Sequence, residues 1–86
     1  MPKVSEFFGI VIALFYADHA PPHFHARYGE HEVLVAIDSL DVIRGGLPRR
    51  ALALVLEWAV LHRDELRADW HRAREGLPLA PIPPLD

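Results

Sequence analysis

Cysteine is absent from the 86 residues. Neither a disulfide framework nor a thiolate metal site can therefore hold this chain together. An excess of positive charge is also missing. Nine Lys and Arg stand against twelve Asp and Glu, for a net charge of −3 with neutral His. That is not the footprint of a strong nucleic-acid binder. No long apolar run is present either. Residues 7–17 (FFGIVIALFYA) are an apolar or small-residue run of 11, and a membrane-spanning helix takes ~20. No internal repeat is visible.

What is there is apolar residues and histidine. The apolar fraction is 51%, enough for one small core. A chain of this size buries only ~60% of its unfolded surface, so nearly all of those residues must serve it. Six histidines are unusual for the length, and four lie between His19 and His31. The two halves differ in charge. Residues 1–47 carry three basic groups against six acidic ones, and residues 48–86 carry six of each.

The run at residues 7–17 follows Lys3 and has the look of a signal-peptide core. A buried strand is the better reading. Phe15 stands where cleavage needs a small side chain, and cleavage would remove the longest strand segment. The expectation is a soluble cytoplasmic protein, in keeping with the absent cysteines.

Residues 9–16 (GIVIALFY) are β-branched and aromatic, and apolar on both alternating sets. They predict a central or doubly covered strand. Pro21 and Pro22 predict a loop or strand edge. His23 to Tyr28 (HFHARY) alternates. Phe24, Ala26 and Tyr28 face one way, and His23, His25 and Arg27 the other. Gly29-Glu30 reads as a hairpin turn. Residues 32–38 predict a third strand and 39–44 a short fourth.

The period then changes. Leu52, Val55, Ala59, His62, Leu66, Trp70 and Ala73 follow helical steps. A single helix over 48–75 would run ~42 Å at 1.5 Å per residue, too long for a domain of ~26 Å diameter. Two segments, 48–62 and 64–75, fit better, with Pro48 in the first turn and Asp64 as N-cap. Gly76 is a helix stop. The expected fold is therefore α+β: a small antiparallel meander of three to four strands, packed on one face by one or two C-terminal helices. Residues 1–76 form the domain, and 77–86 a Pro-rich tail that lies along the domain or a partner, or stays disordered.

The chemistry concentrates in residues 18–28 (DHAPPHFHARY). On a strand, His23 and His25 project together. Three readings follow. As a metal site, His23 and His25 take a further ligand from His19, Asp18, His31 or Glu30. As metal-free ribonuclease chemistry, the imidazoles act as base and acid while Arg27 holds the phosphate. As structure, the rings simply bond backbone or meet a partner.

Arg49-Arg50 reads as a solvated helix start or a phosphate contact. Trp70 reads as an interface anchor or a core edge. Residues 52–56 (LALVL) are apolar nearly all round, so they need the sheet on one side and a second helix or a second subunit on the other.

The opening MPKVSEFFGIVI, the central DHAPPHFHARYGEHE and the stretch LPRRALALVLEWAVLHRDELRADWHRAREGLPLAPIPPL resemble the small bacterial proteins of domain-of-unknown-function family 4160. The resemblance covers at least residues 1–85, and Asp-His-x-Pro-Pro-His-Phe-His is its specific part. It implies a bacterial or archaeal intracellular protein, encoded beside a second small protein in an arrangement like a type II toxin–antitoxin pair. It implies no catalytic mechanism.

The leading expectation is a toxin-like component that acts on RNA through the histidine face, an endoribonuclease in that case. Its catalytic residues would be His19, His23, His25 and Arg27, and it would be held by the neighbouring gene's product or by a second copy. The alternatives are a non-catalytic binding or regulatory module and a small metal-binding protein. No organic cofactor is expected. A divalent metal would use His23, His25 and His19.

Overall fold

A computed structural model describes residues 2–86. Five antiparallel strands run in order across one open sheet: β1 (Lys3–Phe7), β2 (Ile10–Ala13), β3 (His23–Tyr28), β4 (His31–Ala36) and β5 (Val42–Gly45). Helices α1 (Arg49–Leu61) and α2 (Arg63–Arg74) follow. The class is α+β as expected, but the sheet has five strands and not three or four.

The strand that periodicity does not reveal is β1. Phe7 pairs with Ile10, so Phe8 and Gly9 form a two-residue hairpin turn inside what reads as one apolar run. Both turn residues have positive φ, 50° and 78°, as a type I′ turn requires. Asn-Gly is the usual signal for such a turn, and Phe-Gly conceals it. The strand expected over 9–16 shortens to Ile10–Ala13 for the same reason, with buried Leu14 continuing the chain into the next loop.

The Gly29-Glu30 turn is where the sequence puts it, with Tyr28 opposite His31. Phe24 and Ala26 are fully buried with Ile12, Val33 and Val35. Trp58 of α1 crosses this face, its ring 6.0 Å from Phe24 and 5.4 Å from Phe7. Residues 52–56 thus find their cover partly in the sheet, although Val60 and Leu61 at the end of α1 stay exposed.

The two helices meet at His62, within a molecule 33 Å in its longest extent. A continuous rod of ~42 Å (1.5 Å per residue) would not fit that length. His62, not Asp64, occupies the N-cap of α2, and Pro48 precedes α1 at its N-cap. Asp64 and Glu65 sit in the first turn of α2, where their charge favours the helix dipole. Arg67 ties α2 to Asp38 after β4 at 2.7 Å, and that hydrogen bond, partly offset by desolvation, raises the guanidinium pKa.

The C-terminus of α2 closes with Leu77 N–H on Arg72 O and Gly76 N–H on Ala73 O, a Schellman stop. The Pro-rich tail then lies along the domain. Ala80 N–H donates to the fully buried Asp69, Ile82 N–H to Val4 O, and Trp58 Nε1–H to Pro83 O. One backbone approach bears on the site below. A Cβ at Gly45, where φ is +74°, would stand 2.2 Å from Glu32 O, so β5 presses on the Glu32 backbone in a way only glycine allows. Among the described residues no helix is long and apolar enough to cross a membrane.

Candidate metal centre

Strand alternation aims His23 and His25 to the side opposite Phe24 and Ala26, and their ring centroids lie 5.2 Å apart. The loop between β2 and β3 returns past them. Its Asp18 places Oδ2 2.8 Å from His25 Nε2 and 3.2 Å from His23 Nε2. One ligand atom from each of Asp18, His23 and His25 lies within 4.8 Å of the others. The side chains of His23 and His25 are 8% and 12% exposed, and that of Asp18 is 24% exposed.

The walls are aromatic. The edge of Phe15 meets His25 at 4.5 Å between centroids. Trp70 of α2, a member of the core cluster, lies 5.4 Å from the His23 ring. Trp70 is thus a core-edge residue that fixes a site imidazole.

The outer nitrogens also face oxygens. His23 Nδ1 is 2.8 Å from Pro21 O. A carbonyl oxygen only accepts, so this nitrogen carries the hydrogen. His25 Nδ1 is buried without a hydrogen-bond partner, and Glu32 Oε2 lies 3.5 Å from it.

The remaining candidates separate from this cluster. His19 is exposed beside Asp18, and Glu30 and His31 are exposed at the β3–β4 turn. Arg27 shares the strand face, but its guanidinium is 52% exposed and lies 3.7 Å from Glu32. Tyr28 points away and lines a groove of about 250 Å³ with Phe8, Ile10, Ala51 and Leu54. Arg49 and Arg50 are exposed at the start of α1. His62 contacts Glu65, and His71 is exposed on α2.

The residue that sequence reasoning passes over is Glu32. A two-residue turn at Gly29-Glu30 pairs Arg27 with Glu32 and His25 with Leu34. Glu32 is then the diagonal neighbour of His25, within reach of a long side chain. The turn therefore carries the signal.

The family model described as Domain of unknown function (DUF4160) matches residues 9–71. That span holds every residue of the cluster and both aromatic walls. No curated protein and no solved structure matches the chain.

Proposed function

We propose that this chain, which belongs to the DUF4160 family, is a small metal-binding protein that holds one divalent first-row metal between Asp18, His23 and His25. Hydrogen accounting carries the reading. Four imidazole nitrogens each face an oxygen: His23 Nδ1 on Pro21 O, His25 Nδ1 on Glu32 Oε2, and both Nε2 atoms on Asp18 Oδ2. A neutral imidazole has one N–H, so two neutral rings cannot donate from all four nitrogens. A metal between the two Nε2 atoms and Asp18 removes the excess. Each ring then keeps one N–H for its outer oxygen, the arrangement found around metal-bound histidine.

The spacing agrees. Bonds of about 2.0–2.1 Å meeting at tetrahedral angles put ligand atoms ~3.3 Å apart, so the 2.8 and 3.2 Å found here need to open by only a few tenths of an ångström to admit an ion. Two imidazoles and one carboxylate suit zinc, iron, cobalt or nickel better than copper(I) or calcium. Three protein ligands leave coordination positions open, as in catalytic metal sites. Cobalt(II) titration tests the reading: one equivalent should develop visible ligand-field bands that zinc abolishes. Absence of saturable binding at equimolar metal rejects it.

Imidazole acid–base cleavage of RNA draws less support. It asks for solvent-open rings with Arg27 beside the same phosphate. Both rings are nearly closed off, and Arg27 leans on Glu32.

A toxin-like role beside a protein partner is a second reading. It is favoured by the neighbouring Val60 and Leu61 at the end of α1, exposed at 57% and 66%, apolar groups a partner can cover. Inducible expression with and without the adjacent open reading frame tests it. Growth arrest relieved by the neighbour supports this role, and growth unaffected in both strains removes it.

A further inference from the structure

Glu32 stands outside the three ligands, yet the fold fixes it beside one of them. Its backbone is held from the β5 side by Gly46 N–H on Glu32 O at 3.0 Å and by the close approach of Gly45. Arg27 is directly opposite on β3, and His25 is the diagonal neighbour. The Glu32 carboxylate sits between the two, 3.7 Å from Arg27 Nη2 and 3.5 Å from His25 Nδ1. That nitrogen is itself buried and has no hydrogen-bond partner. Its burial closes it to bulk solvent, and Glu32 is the acceptor at hand.

We infer that Glu32 is a positioning residue: its carboxylate accepts the Nδ1–H of His25 and so aims the Nε2 lone pair at Asp18 and His23, while Arg27 restrains the carboxylate from its other side. The inference rests on the metal reading and adds to it the group that sets ring orientation and tautomer. A proton on Nδ1 leaves Nε2 as the only coordinating atom of His25. Without an acceptor at Glu32, Nδ1 has nothing to hold its hydrogen, and the ring loses its preference for the coordinating tautomer.

The pairing differs from the Arg27–Glu32 ion pair taken alone. An exposed cross-strand pair of that kind contributes little to stability. A purely structural Glu32 would therefore leave both metal affinity and the His25 ring unchanged when replaced.

The test compares full-length wild type, Glu32→Gln and Glu32→Ala in two measurements at one pH. The first is cobalt(II) affinity. The expected loss for Glu32→Ala is about 10- to 100-fold, with Glu32→Gln between it and wild type because the amide keeps an acceptor oxygen. Urea midpoints should be nearly the same for all three. The second measurement is the ¹H–¹⁵N signal of His25 Nδ1 in the zinc-loaded protein, where Nε2 is the coordinating atom. Wild type should show an Nδ1–H held against solvent exchange by the Glu32 carboxylate, and Glu32→Ala should lose that protection.

Equal cobalt affinity and an unchanged His25 ring across the three proteins overturn the inference. If wild type binds neither cobalt nor zinc, the metal reading falls and the positioning role with it. If wild type binds cobalt and Glu32→Ala changes neither the affinity nor the Nδ1–H exchange, the metal reading stands and the positioning role falls.

Discussion

Asp18→Asn should lower cobalt(II) or zinc affinity by more than about 100-fold, because loss of a direct ligand exceeds the 10–100-fold typical of outer-shell changes. The substitution keeps size and shape and removes the anionic donor. Asp18 lies in a loop and is about a quarter exposed, so its replacement empties no core space. The effect on unfolding should stay within about 1 kcal/mol, and a urea titration beside the metal titration separates the two effects. His25→Ala should abolish binding as well, with some added cost because Phe15 no longer has the imidazole to pack against. Unchanged affinity in Asp18→Asn would mean that the carboxylate only hydrogen-bonds the two rings and holds no metal.

The largest loss of stability is expected at Trp58. Its side chain is fully buried, and it touches Phe7 on β1, Phe24 on β3 and His62 at the helix junction. It also donates Nε1–H to Pro83 O at 2.8 Å, so one residue joins sheet, helix and tail. Trp58→Ala should cost about 3–5 kcal/mol from the cavity and the lost transfer energy. Small domains hold only about 5–15 kcal/mol in total, so much of the variant should be unfolded at moderate temperature. Trp58→Phe keeps most of the ring and loses the donor, with an expected cost of about 0.5–1.5 kcal/mol from the hydrogen bond plus the missing volume. Chemical denaturation followed by circular dichroism reads both. A Trp58→Ala loss no larger than that of Trp58→Phe would place the core elsewhere.

The parts of the fold readable from sequence are those with strong local signals. The histidine strand, the Gly29-Glu30 turn and the stop at Gly76 depend on nearby residues alone. The helix break is legible through length: one continuous rod exceeds the domain. The strand over residues 3–7 is hidden because Phe8 adopts a positive φ without the usual turn residue. The N-cap of α2 is ambiguous because a capping-type residue, Asp64, serves just as well in the first turn.

At the site, period-two alternation brings His23 and His25 together, and it correctly sets Phe24 and Ala26 on the opposite face, where Phe24 meets Trp58 of α1. It does not choose among Asp18, His19, Glu30 and His31 as the third group. That choice depends on the path of the 14–22 loop, whose two prolines carry no periodic signal. Alternation also puts Arg27 on the right face but says nothing of its neighbour. Its register partner Glu32 follows only once the Gly29-Glu30 turn is used to count across the hairpin.

The central claim is that Asp18, His23 and His25 hold one metal. Anomalous diffraction from a zinc- or cobalt-loaded crystal tests it most directly. The account predicts one peak about 2.0–2.2 Å from Asp18 Oδ2 and from both Nε2 atoms. A fully loaded crystal with no peak there, or with its peak on other residues, would contradict it.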